Sequence, residues 1–108
     1  MIGIGVIGYG YWGPNLVRNF SQTDGAQVIA VCDQSPARRK QVTAHYPAVT
    51  AYADVKELLA DPKVDAVIIA TNHRSINYQE LAGWSDCIVD TRNQMAGIKT
   101  KPGQVWKA

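Results

Sequence analysis

The chain has 108 residues, a formal net charge of +2 and 19% charged residues, with both signs interspersed. No basic run is longer than Arg38-Arg39-Lys40, which argues against nucleic acid as a partner, and no apolar run approaches the length that spans a membrane. With 46% hydrophobic residues, the length suits one globular domain spanning 1–108, large enough for a three-layer α/β core but not for a separate substrate domain as well.

Ile2 to Ile7 is an apolar run that predicts a first strand. It begins almost at Met1, which leaves no room for a signal peptide, so a cytoplasmic protein is expected. Gly8, Gly10 and Gly13 follow as G-x-G-x-x-G. Gly8 permits a tight turn out of the strand. Gly10 lets a pyrophosphate approach the backbone, and Gly13 lets the next helix pack close to the sheet. Pro14 to Ser21 predicts that helix, with Pro14 in its first turn and Leu16, Val17 and Phe20 on one face. Its start offers unpaired N–H groups and the positive end of the helix dipole, which suit a pair of phosphates. Tyr11 and Trp12 are large for a phosphate loop. They either shield a cofactor or pack on the domain surface.

Asp24-Gly25 marks a turn, and Gln27 to Cys32 predicts a second strand ending in Asp33, about 20 residues beyond the last glycine. Strand, triplet, helix, strand and terminal acid together form a dinucleotide-binding fingerprint. Asp33 can accept both hydroxyls of an adenine ribose, and its charge would repel a 2′-phosphate, so NAD is the expected cofactor and not NADP. Ser35 caps a helix that opens on Pro36 and runs to about His45, closed by Pro47. Arg38 and Arg39 on that helix either lie near the adenine or form a solvated face. Arg38 is carried as a cofactor-binding candidate.

Val49 to Ala51 predicts a short third strand, and Asp54-Val55-Lys56-Glu57 has capping-box-like spacing before Leu58 and Leu59. Val64 to Ala70 is nearly continuous in apolar residues, as a buried parallel strand should be. Asn77 with Glu80 opens a short helix to Ala82 that Gly83 is expected to stop. Asp86 to Asp90 predicts a fifth strand. Thr91 to Thr100 reads as a loop with one helical turn near Gln94 to Gly97, and Pro102-Gly103 leads into an edge strand, Gln104 to Lys107. The alternation predicts a six-stranded parallel sheet ordered 3-2-1-4-5-6, a single Rossmann domain.

Cys32 and Cys87 fall on strands that would not be neighbours, so no disulfide is expected, and their spacing does not suggest a metal site. His73 follows strand four and is either an acid–base group or, more plainly, a loop histidine bonded to backbone. Asp90 and Arg92 either anchor a substrate anion or make a local ion pair or turn cap. Trp84 and Trp106 read as core or interface residues and not as ligand platforms.

Residues 2 to about 71 resemble the N-terminal domain of the Gfo/Idh/MocA oxidoreductases, nearest to members acting on nucleotide sugars. The resemblance rests on Gly8-Tyr9-Gly10-Tyr11-Trp12-Gly13-Pro14-Asn15, Val31-Cys32-Asp33, Leu58-Leu59-Ala60-Asp61-Pro62 and Val64 to Thr71. It implies an NAD site lined by Gly8, Gly10, Tyr11, Trp12, Asp33 and Thr71. The pattern then fails: the strand that should precede a Glu-Lys-Pro motif reads Cys87-Ile88-Val89-Asp90-Thr91-Arg92-Asn93, without the family's catalytic lysine. From about residue 65 to 108 the tail is similar to the C-terminal domain of UDP-glucose/GDP-mannose dehydrogenases of the UDP-N-acetylglucosamine type. That likeness is carried by Thr71-Asn72-His73, Asn77-Tyr78, Val89 to Asn93 and Val105 to Ala108. It implies a nucleotide-sugar contact at Arg92. Gly13 and Asn72 join the cofactor-binding candidates.

The expected function is thus an NAD(H)-binding domain of nucleotide-sugar oxidoreductase descent, with no catalytic residue assigned and little or no dehydrogenase activity alone. The alternatives are a module that responds to a nucleotide or nucleotide sugar through a partner protein, and a remnant whose site is vestigial. A homodimer or a partner subunit would cover exposed sheet ends and wall the site.

Overall fold

The computed structural model describes residues 1–70, 76–92 and 94–107. Six strands form one all-parallel sheet: β1 (Ile2–Ile7), β2 (Ala26–Cys32), β3 (Thr50–Tyr52), β4 (Ala66–Ile69), β5 (Ile88–Asp90) and β6 (Val105–Lys107). Their spatial order is β3-β2-β1-β4-β5-β6, the doubly wound order that the alternation of elements predicts. Helices α1 (Gly13–Ser21), α2 (Pro36–His45), α3 (Val55–Leu59) and α4 (Tyr78–Trp84) make the first four crossovers.

Helices α2, α3 and α4 each start where a side chain supplies a partner for an unpaired N–H. Ser35 Oγ accepts from the Arg38 N–H at 3.4 Å, Asp54 Oδ1 from Lys56 at 2.9 Å, and Asn77 Oδ1 from Glu80 at 3.1 Å. α1 is the exception: no side chain caps it and its first turn holds no acid.

Two apolar layers flank the sheet. On one side α1 and α2 bring Val17 and Val42 onto Val6, Val28, Val31 and Ile68. On the other, α3 and α4 bring Leu58 and Leu81 onto Ile7, Ala30, Val67 and Ile69, and Met95 of the following loop joins them. β4 is buried along its whole length because both its faces are covered.

Some boundaries differ from expectation. α4 does not stop at Gly83. That glycine takes no left-handed φ, so the helix continues to Trp84 and ends where the Ser85 N–H reaches the Leu81 carbonyl at 3.1 Å. β4 and β5 are shorter than their apolar runs, because only part of each run finds a ladder partner. The segment from Gln94 to Gly97 forms turns without a helix. Its shape comes from Asp90, which is 1% exposed and accepts from the N–H groups of Arg92 (3.0 Å), Gln94 (3.1 Å) and Met95 (2.8 Å). Of the two readings of Asp90, the turn cap is therefore the one seen. Trp84 and Trp106 are not core residues, being 46% and 61% exposed.

Candidate dinucleotide site

The pairing register aligns Tyr52, Cys32, Ile7, Ile69 and Asp90 in one row across the sheet. The residues that follow them form the carboxyl edge, where ligands of such sheets bind at the switch between β1 and β4. Gly8 and Asp33 are neighbours on that edge, the Gly8 N–H donating to the Cys32 carbonyl at 2.8 Å.

The loop from Gly8 to Gly13 has the geometry its glycines predict. Gly8 has φ of +100°, which strains any residue bearing a Cβ. A Cβ on Gly13 would overlap the Gly8 carbonyl oxygen, so the start of α1 lies directly against the end of β1. Tyr9 between them is 6% exposed and buries its ring with α1 and α2, and burial, with a smaller contribution from Tyr46, raises its phenol pKa. Tyr11 and Trp12 are 85% and 46% exposed, with their rings edge to face at 5.1 Å.

Asp33 has the most developed surroundings in the site. Its Oδ2 accepts from the Tyr9 N–H at 2.8 Å and its Oδ1 from the Ser35 N–H at 2.8 Å. Arg38 Nη1 lies 3.7 Å from Oδ2, and the same guanidinium is the nearest group to the space above Gly10. Arg39 is half-buried and not simply solvated. Its Nη1 donates to the carbonyls of Asp33 (2.8 Å) and Gln34 (3.0 Å), bracing the end of β2.

A cavity of about 660 Å³ opens beside Asp33. Gly8, Cys32 and Gln34 line its sheet side, and Asp54, Lys56 and Glu57 of the α3 start, with Asn77, Glu80 and Trp84 of α4, line the other. Four carboxylates against Arg38 and Lys56 make it an electronegative space. Cys32, one of its lining residues, is buried. Burial, then Asp33, Asp54 and Glu57, push its thiol pKa up to about 12.

The residues fit a nicotinamide dinucleotide. The uncapped, acid-free start of α1 leaves N–H groups for phosphate oxygens. Gly10 leaves the backbone approachable, and each Asp33 oxygen retains acceptor capacity beyond the one amide it holds. The structure thus brings together Gly8, Gly10, Gly13, Asp33 and Arg38. Thr71, Asn72 and His73 lie outside the described residues. Arg92 is exposed at the end of β5 and does not line this cavity. Sequence reasoning missed the cavity wall formed by α3 and α4. Asn77 and Glu80 were legible only as a cap, and their shared face of α4 with Trp84 was the available signal. Among the described residues no cluster of His, Cys, Asp or Glu could hold a metal ion.

Fold and site define a dinucleotide-binding Rossmann domain. The model of the oxidoreductase family with an NAD-binding Rossmann fold matches residues 2–83, and the chain belongs to that family, the Gfo/Idh/MocA oxidoreductases. Inositol 2-dehydrogenase from Burkholderia multivorans is 39% identical over 70 residues, covering 63% of this chain and 21% of that protein. A glycosyl hydrolase family 109 protein from Porphyromonas gingivalis is 36% identical over 81 residues, covering 67% of this chain and 17% of its own length. Among solved structures, an oxidoreductase from Agrobacterium radiobacter in complex with NAD+, L-tartaric acid and magnesium superposes with a TM-score of 0.73. It is 26% identical and covers 86% of this chain and 28% of that one. The chain thus spans about a fifth of the curated relatives it matches.

Proposed function

We propose that this chain binds NAD(H) in preference to NADP(H) and forms the cofactor half of a dehydrogenase acting on a polyhydroxylated substrate, a sugar or nucleotide sugar. The Asp33 seat carries the preference. A carboxylate fixed by the Tyr9 and Ser35 amides presents negative charge where a ribose 2′-position would rest, and the neighbouring cavity is itself electronegative. The substrate class follows from relatives named inositol 2-dehydrogenase and D-apiose dehydrogenase.

A bound nicotinamide dinucleotide supplies the hydride acceptor or donor. The chain's own residues hold it. The α1 N-terminus and the backbone at Gly10 receive the pyrophosphate, Asp33 accepts from the ribose hydroxyls, and Arg38 flanks both. Hydride transfer also needs a substrate wall and a proton relay. The family's catalytic lysine has no counterpart in the stretch from Cys87 to Asn93, so we infer little turnover by this chain alone.

Calorimetric titration with NAD, NADH, NADP and UDP-N-acetylglucosamine tests this reading. Binding of NAD(H) at least about tenfold tighter than NADP is expected, a ratio that corresponds to about 1.4 kcal/mol. Equal or tighter NADP binding would overturn the preference, and sugar oxidation by the purified chain would overturn the inference of low activity.

A further inference from the structure

We propose that Trp84, held by Lys56, is the purine-stacking wall of the cavity beside Asp33. This rests on the NAD(H) reading above and extends it to the base. The phosphate seat at Gly10 and α1 and the ribose seat at Asp33 set a direction. A nucleotide spanning both sends its base away from α1, into the cavity between α3 and α4. Among the described residues lining that cavity, Trp84 is the one aromatic.

Trp84 is placed for this. Asn77, Glu80 and Trp84 follow one another at helical spacing along one face of α4, so the indole stands on the stripe that faces the cavity. It keeps 46% of its surface exposed, so the indole is not buried in the apolar layer. Lys56 Nζ lies 5.7 Å from its ring centroid, a cation–π contact that joins α3 to α4 across the cavity wall and orients the ring. A purine presents a flat π-face to such a ring whatever its edge substituents. Stacking therefore fixes the base without a hydrogen-bond code.

The test uses the full chain with ADP-ribose, AMP and nicotinamide mononucleotide as probes, followed by calorimetry. Trp84→Ala is expected to weaken ADP-ribose and AMP about 5- to 100-fold. Trp84→Phe, which keeps a stacking face, should restore most of that loss, and nicotinamide mononucleotide should bind all three proteins alike. In a Trp12→Phe, Trp106→Phe background the remaining indole fluorescence should be quenched by AMP. Wild-type affinity for ADP-ribose in Trp84→Ala, or loss of nicotinamide mononucleotide binding in parallel, would overturn the proposal while leaving the dinucleotide reading intact. Failure of the wild-type chain to bind ADP-ribose or NAD would overturn both.

Discussion

The backbone N–H of Tyr9 donates to Asp33 Oδ2 at 2.8 Å, across the gap between β1 and β2. One carboxylate thus fixes the glycine loop and, in the function proposed above, would seat the ribose as well. On that proposal, loop geometry and ligand affinity would be coupled through a single group.

Replacing Asp33 should therefore act twice. Asp33→Asn retains one acceptor oxygen and leaves either Tyr9 or Ser35 without its partner. We expect NAD affinity to fall about 10- to 100-fold, the range for a lost hydrogen bond to a charged group, with a smaller loss of folding stability. Calorimetry and urea unfolding measure the two effects on the same preparations. An unchanged NAD affinity would dissociate Asp33 from the ribose.

Gly10 and Gly13 should separate binding from folding. A Cβ on Gly13 meets the Gly8 backbone oxygen, which cannot yield without moving β1 or α1, so Gly13→Ala should cost about 1–3 kcal/mol in urea unfolding. A Cβ on Gly10 meets only the Arg38 guanidinium, at 3.4 Å, the far end of a flexible side chain. Gly10→Ala should leave the unfolding midpoint nearly unchanged yet weaken NAD, because the added methyl occupies the approach to the pyrophosphate. Equal destabilisation by both variants would contradict this division.

Asp90 is a stability residue of the opposite sheet half. Asp90→Ala leaves three N–H groups without their acceptor at the end of β5, so a loss of at least about 2 kcal/mol is expected. Its carboxylate does not line the cavity, and NAD affinity, measured at a temperature where the variant is folded, should stay within a few-fold of wild type.

Cys32 makes a prediction about pH. Its thiol ionises near 12 in the folded chain against 9.0 for an unperturbed thiol. The unfolded chain therefore releases a proton from about pH 9 upward that the folded chain keeps, and stability from this group is full below pH 9 and falls as pH rises towards 12. Below pH 9 a disulfide reagent should leave Cys32 unmodified in the folded protein and react with it after denaturation, with Cys87→Ser isolating the signal. Rapid modification of native Cys32 would show that its burial is not maintained.

The primary structure by itself determined the sheet order, the phosphate loop and the acid at the end of β2. These are local: an apolar run buried on both faces, a glycine that must take φ of +100°, and a carboxylate one residue past a strand all leave their mark within a few positions. Helix starts were legible for the same reason, through Ser35, Asp54 and Asn77. The end of α4 at Trp84 was not, because packing of Leu81 and Ala82 carries the helix through Gly83, a residue that local propensity disfavours. Only the tertiary structure decided that Asp33 is held by the Tyr9 amide, that Arg38 lies over Gly10, that Asp90 caps a turn, and that Lys56 and Trp84 meet on a cavity wall. Those pairings join segments whose distance depends on how α3 and α4 pack against the sheet, and no spacing along the chain encodes that distance.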